Sequence, residues 1–307
     1  MTSTNLKSEP LTSVGIIGCG WLGGALARQL KDQGISVLAT RSTIEHVVDL
    51  KTQGVDADVL SLPCEQEVLN KHLVFNQQCI VIAITPQFRH GRVDYAEKIR
   101  QIINSTKLNS KVKKVILLSS TAVYNGLFGK VDETAQLNFA ADKVNLLNEA
   151  EQTVLTFNRL TSQPNDNVSN NKSAYVLRLS GLVGPNRHPG KFLLNGRMLK
   201  SPEATVNLIH QQDAVGLIIA LLKQTAQSDL NNHIFNGVSA TQVTKKEYYQ
   251  TAAKALGLPS PTFEKTDELT YDNRTEQSID KIVSGKKARD ILHYRFVYDD
   301  LLTWLTK

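Results

Sequence analysis

Cysteine is scarce: Cys19, Cys64 and Cys79 are the only three in 307 residues, and no two of them form a Cys-x-x-Cys pair. Such unpatterned thiols exclude a disulfide framework and point to a reducing compartment. No run of about 18 apolar residues occurs, so nothing reads as a membrane span. The stretch from Met1 to Ser13 is polar and lacks the apolar core of a secretory signal. The expectation is a cytoplasmic protein with no membrane partner. Charge of one sign is not concentrated either. Lys and Arg number 35 against 29 Asp and Glu, a net +6 that is scattered rather than blocked. No finger, basic helix or RNP-type aromatic motif accompanies it, which argues against a nucleic-acid partner and leaves a mild bias toward anionic small ligands. No repeat with a period of about 20 to 50 residues is found, so solenoids and propellers are excluded.

What is present is an alternation. Short apolar runs recur at Val14–Ile17, Ser36–Ala39, Ala57–Leu60, Cys79–Ile84 and Lys114–Leu118. They are β-branched and unalternating, as strands buried on both faces must be. Between them lie helical patterns at Leu22–Gln33, Thr43–Gln53, Glu65–Leu73 and Tyr95–Ser105. Strand–helix alternation implies an α/β protein with a doubly wound parallel sheet. A further helix is expected over Ala141–Thr156. The Asn-, Ser- and Pro-rich stretch Asn158–Ser173 reads as a surface loop before a strand at Ala174–Leu179. Helices at Asp213–Leu222, Lys245–Leu256 and Tyr298–Thr306 follow. The expected organisation is a flexible N-terminus over 1–12, a nucleotide-type domain over 13–181 with 206–236 packing back on it, and a smaller C-terminal α/β substrate region over 182–307.

The strongest local signal is Gly18-Cys19-Gly20-Trp21-Leu22-Gly23, a GxGxxG that follows a buried strand and opens a helix. In that context Gly18 permits the tight turn, Gly20 lets the backbone approach a pyrophosphate, and Gly23 lets helix and sheet close up. The helix start, with Trp21 and Leu22, then offers N–H groups to phosphate. The sheet becomes Rossmann-like and the cofactor a dinucleotide. At the end of the second strand no acid is available for a ribose 2′-hydroxyl. Arg41 and Ser42 stand there instead, a donor set suited to a 2′-phosphate, which favours NADP(H) over NAD(H). The plain alternative is an Arg41 that is solvated or stacks on adenine. Cys19 sits at a helix N-terminus, where a thiolate is favoured, or serves as a small core-facing side chain.

Four further motifs come in order: Leu118-Ser119-Ser120-Thr121-Ala122-Val123-Tyr124, then Arg178-Leu179-Ser180-Gly181-Leu182-Val183-Gly184-Pro185, then Ile209-His210-Gln211-Gln212-Asp213, then His233-Ile234-Phe235-Asn236. Together with the glycine loop they resemble the extended short-chain dehydrogenase/reductases of the NAD-dependent epimerase/dehydratase group. The likeness is to atypical bacterial members with a GxGWLG loop and a GLVGP-x-RHPG segment, and it runs from Val14 to about Leu305. It implies an NAD(P)-dependent oxidoreductase, epimerase or dehydratase acting on a small polar or sugar-like substrate. It places Ser120 where the family orients substrate, and Leu179 and Gly181, with Ser180, beside the nicotinamide. Thr85 and Ser119 fall beside the cofactor. Homodimerisation through the helices flanking the fourth and fifth strands is also implied.

The family's Tyr-x-x-x-Lys is missing. That spacing puts an ammonium on the same helical face as a phenol and lowers its pKa toward working pH. None of the eight tyrosines here has Lys four residues on, and the family's Tyr and Lys positions fall near Lys143 and Leu147. Two readings stay open. In one, an enzyme uses a substituted acid/base, with Lys143, His188, His210 and Tyr124 as candidates beside Ser120, and with Tyr124, Arg187 and His210 as substrate contacts. In the other, the chain is a non-catalytic NADP(H)-binding redox sensor or regulator. An empty scaffold is the third and least consistent with the glycine loop.

Overall fold

In chain order the elements are β1 (Ser13–Ile17), α1 (Trp21–Asp32), β2 (Ser36–Arg41), α2 (Ile44–Thr52), β3 (Ala57–Val59), α3 (Gln66–Asn70), β4 (Cys79–Ile82), α4 (Tyr95–Leu108), β5 (Lys114–Ser120), β6 (Gly129–Val131) and α5 (Asp142–Leu155). They continue as β7 (Ser173–Leu179), β8 (Gly181–Val183), β9 (Leu208–His210), α6 (Gln211–Lys223), β10 (Ile234–Gly237), α7 (Lys245–Ala255), β11 (Lys281–Val283), α8 (Lys286–Leu292) and α9 (Leu301–Leu305). The structure, a computed structural model, describes residues 10–161, 172–194, 198–224, 233–264 and 280–307. Of the loop expected at Asn158–Ser173, residues 162–171 lie outside these.

Seven strands form one sheet in the order β10-β7-β5-β4-β1-β2-β3. The ladders β3–β2, β2–β1, β1–β4 and β4–β5 are parallel, with Val14 opposite both Val37 and Cys79 and with Ile80 opposite Val115. The order reverses between β1 and β4, the doubly wound arrangement whose switch point leaves a crevice at the carboxyl ends of those strands. The apolar runs become strands because they are covered on both faces: Val14, Ile16, Ile80, Val81, Ile82, Val115, Ile116 and Leu117 are all fully buried. Helix α1 presents Leu22, Leu26, Ala27 and Leu30 to this core, a stripe at helical spacing. At the far end of β5, the buried Lys114 ammonium donates to the carbonyls of Leu221, Leu222 and Gln224, closing the C-terminus of α6.

Three expected elements end differently. The fourth strand stops at Ile82, although the Ala83 N–H still bonds the Ile17 carbonyl at 2.8 Å. The helix expected over Glu65–Leu73 breaks after Asn70, because His72 caps a fresh turn by accepting the Val74 N–H. The last helix starts at Leu301, where the Asp300 carboxylate accepts the N–H groups of Leu302 and Thr303.

The chain divides into two compact units. The first comprises residues 1–118, 146–176 and 218–234, and the second 119–145, 177–217 and 235–307. The last residues of β5 and β7 and the first half of α6 group with the C-terminal region, because each strand hands its chain to the second unit at its end. The second unit holds its own core, built from Val183, Val206, Tyr248, Ala252, Leu301 and Leu305. It also carries two small parallel ladders that the apolar patterning did not announce, β6–β11 and β8–β9.

Candidate functional site

In the first unit, Gly18 follows β1 with φ +88°, and a Cβ there would lie 2.7 Å from Ile84 Cγ2 and 2.8 Å from its backbone nitrogen. Only glycine fits. At Gly23 a Cβ would stand 3.3 Å from Ile16 Cγ2 and 3.4 Å from Cys19 Sγ, which is the close helix–sheet approach expected of the third glycine. Gly20 opens α1. No side chain caps that start and no acid stands in its first turn, so the N-terminal partial charge is left for an external anion. Leu22 turns its side chain into the core, and only its backbone can serve a ligand. Trp21 is half-buried at the same turn.

Arg41 ends β2 and reaches back to the loop. Its Nη1 donates to the Cys19 carbonyl at 2.9 Å and lies 3.4 Å from where a Cβ on Gly20 would be. The rest of the guanidinium fork makes no ion pair among the described residues, so it can donate to an anion. Ser42 beside it, and Thr85 beyond β4, are exposed. Cys19 is buried, and burial pushes its thiol up to about 11 against the pull of Arg41 and Arg28. That corrects the thiolate alternative and leaves Cys19 as packing.

The remaining candidates belong to the second unit. Ser120 closes β5, half-buried, and its Oγ accepts the Ala122 N–H at 3.1 Å. Ser119 is buried beside it. Tyr124 is fully buried: its hydroxyl donates to Asn236 Oδ1 at 2.9 Å and accepts from Arg178 Nη1 at 2.8 Å, with the guanidinium 5.0 Å over the ring. Burial also raises its pKa. The phenol thus joins Asn236 and Arg178 in one buried network. Leu179 is buried. Gly181 is exposed, and a Cβ there would meet Leu208 Cδ2 at 2.6 Å across the β8–β9 ladder.

The Pro-Asn-Arg-His turn carries Asn186 at φ +62°, with Arg187 exposed at its end. His188 is half-buried. Its Nδ1 accepts the Gly190 N–H at 3.2 Å, its ring leans on Trp304 at 5.7 Å, and burial followed by the Lys191 charge lowers its pKa. His210 is buried 3.9 Å from the Tyr298 ring and 5.0 Å from Trp304, with Nδ1 accepting the Gln212 N–H. Burial lowers its pKa to about 4. The imidazole packs between Tyr298 and the Trp304 of α9. Lys143 is half-buried in the first turn of α5 and has no hydrogen bond or ion pair among the described residues.

Two polar hubs escaped the residue-by-residue reading. Asn236 joins Tyr124 to the Glu133 carboxylate, through its own N–H at 2.7 Å, and to the Ser284 carbonyl. Asp213, fully buried, accepts from the Tyr294 hydroxyl and from the N–H groups of Val297 and Tyr298. Both residues stood in quoted motifs, but spacing alone gives no hint of partners 48 to 112 positions away.

No protein-family model matches the chain. Protein YeeZ of Escherichia coli (strain K12) is 30% identical over 298 residues, covering 95% of this chain and 98% of YeeZ. The chain belongs to the YeeZ family. Solved structures of the same fold include a UDP-glucose 4-epimerase from Thermotoga maritima with UDP-glucose, at TM-score 0.74 and 13% identity over 96% of each chain. Another is a UDP-glucuronic acid 4-epimerase from Bacillus cereus in complex with NAD, at TM-score 0.70 and 14% identity over 96% of this chain and 100% of that one. This YeeZ-family chain therefore shares the architecture of NAD-dependent epimerases. In it, no described helix is long and apolar enough to cross a membrane.

Proposed function

We propose that the chain is an NAD(P)-dependent oxidoreductase, epimerase or dehydratase acting on a small polar or sugar-like substrate. The observation that carries this reading is the glycine loop at the sheet's switch point, where Gly18 tolerates no Cβ and α1 starts without a cap. The residues fit a dinucleotide. The N–H groups at the start of α1 would hold the pyrophosphate, and Arg41 with Ser42 would hold a 2′-phosphate, which favours NADP(H). The bound nicotinamide supplies a hydride acceptor or donor. The NAD complex of the Bacillus cereus epimerase supports a nicotinamide cofactor, without choosing between the two dinucleotides.

In this reading Ser120 orients the substrate through its hydroxyl. Tyr124, the tyrosine among the candidates, is held by Asn236 and Arg178 and is not free to move the proton that accompanies hydride transfer. Lys143 and His188 are the remaining titratable candidates. The same hold on Tyr124 favours a second reading, a dinucleotide-binding regulator without turnover. Calorimetric titration with NADP⁺, NADPH, NAD⁺ and NADH tests the shared claim, and absorbance of bound NADPH against sugar nucleotides and small carbonyl compounds separates the two. Binding with turnover is the expected result. Binding without turnover moves the assignment to the regulator, and no dinucleotide binding overturns both.

A further inference from the structure

Residues from three motifs that lie far apart in the sequence meet at one oxygen in the second unit. Tyr124 closes the Ser-Ser-Thr-Ala-Val-Tyr stretch after β5, Arg178 stands near the end of β7, and Asn236 lies in β10. The Tyr124 hydroxyl accepts from Arg178 Nη1 at 2.8 Å and donates to Asn236 Oδ1 at 2.9 Å. The order of the protons is forced. A guanidinium can only donate, so the phenol must give its own proton to Asn236. The Asn236 amide is set in the matching sense, because its Nδ2 donates to the Ser284 carbonyl at 3.0 Å. Its main-chain N–H is taken by Glu133 Oε1 at 2.7 Å. Tyr124 and Asn236 are 0% exposed and Arg178 is 3% exposed, so breaking any of these bonds strands a partner away from water.

The phenol governs Ser120 through the backbone between them. β5 ends at Ser120, whose Oγ accepts the Ala122 N–H at 3.1 Å and so starts a single turn, Thr121–Tyr124. The Asn125 N–H closes that turn on the Ala122 carbonyl at 3.1 Å. One tight turn carries few bonds and is marginal by itself. What holds its far end is the Tyr124 side chain, a rigid ring with two rotatable bonds, tied to β7 and β10 at its tip.

We propose that Tyr124, Arg178 and Asn236 are positioning residues for Ser120: together they hold the turn that aims its hydroxyl. This rests on the proposed function, in which Ser120 orients the substrate, and deepens it by naming what orients Ser120. It also gives a role to Arg178 and Asn236, two motif residues that the proposed function leaves without one.

The test is amide hydrogen exchange on the full chain, read by NMR at Ala122, whose N–H reports the Ser120 hydroxyl directly. Tyr124→Phe removes one oxygen and keeps the ring. Exchange at Ala122 should quicken about tenfold, the factor that goes with one buried hydrogen bond, toward the rate found in Ser120→Ala. Ile116 and Leu117 in β5 should stay within about threefold of wild type, because the loss is local. Asn236→Leu should act as Tyr124→Phe does, and it serves if Tyr124→Phe melts early. Arg178→Lys keeps a donor without the fork and should fall between wild type and Tyr124→Phe. In turnover of a carbonyl compound with NADPH, Tyr124→Phe should lower kcat about tenfold and leave the Kd for NADPH within about threefold, a split that general destabilisation does not produce. Exchange at Ala122 that keeps its wild-type rate, or that quickens only in step with Leu117, overturns the proposal. Failure of the wild-type chain to bind NADP(H) would instead strike the proposed function and leave the exchange result at Ala122 standing.

Discussion

At Gly18, Ile84 presses against the face where a Cβ would be, and the φ of +88° adds backbone strain to the clash. Gly18→Ala is therefore expected to cost about 2 kcal/mol or more of folding stability, read as a drop in the urea midpoint. Dinucleotide binding should fall further than stability, because the loop must shift to admit the methyl. Arg41 carries a different expectation. Its Nη1 braces the Cys19 carbonyl, and the rest of the fork is available for a phosphate. Arg41→Ala should weaken NADPH by roughly ten- to a hundredfold, the loss of a charge-assisted contact or two, while NADH changes by less than about threefold. Calorimetry with both cofactors decides it. Equal weakening of the two would assign Arg41 to bracing the loop or stacking on adenine.

At the scale of elements, the aromatic box on α9 makes the second unit acid-sensitive. His210 titrates at about 4 in the folded chain because burial disfavours its charge, against about 6.5 when unfolded. Between those values the unfolded chain binds the extra proton, so stability is full above about pH 6.5 and is lost as pH falls toward 4. The loss attributable to this group is on the order of 2–3 kcal/mol. Comparing urea midpoints of wild type and His210→Gln at pH 7 and pH 4.5 should show a smaller acid penalty in the variant. An identical penalty would mean that His210 is not the sensor. These elements also mark where the sequence stops being readable. β1, β2, β4 and β5 were legible because each carries an unalternating apolar run, Val14–Ile17, Val37–Ala39, Cys79–Ile82 and Val115–Leu118, most of it buried. The glycine loop was legible because its geometry has few solutions. β6, β8, β9 and β11 have three residues each and, unlike the equally short β3, fall outside the regular strand–helix alternation that announces a strand. The buried partners of Tyr124 and His210 were illegible for a related reason. A polar tip in a motif looks the same in sequence whether it faces a ligand or a buried Asn236 or Trp304.

For the whole molecule, the chain passes between its two units at 118/119, 145/146, 176/177, 217/218 and 234/235. Neither unit is a contiguous segment. A fragment ending at Gly181 keeps the glycine loop and six of the seven sheet strands, yet it lacks β10, the strand beside β7. It also lacks residues 218–234 of the first unit, including the end of α6 whose carbonyls receive Lys114. Lys114, at the start of β5, would then lose its three acceptors, and the apolar face covered by Leu221 and Leu222 would be open to water. Losing the burial of Leu221 and Leu222 forfeits roughly 3 kcal/mol or more, a large share of the total stability of a domain this size. The fragment 1–181 should therefore show no cooperative thermal transition and no NADPH binding. The full chain should melt at a higher temperature with NADPH, by an amount set by ligand excess over Kd. A fragment that melts cooperatively and binds NADPH would show that the glycine loop and its strands suffice, and that the return of the chain through α6 and β10 serves only the second unit.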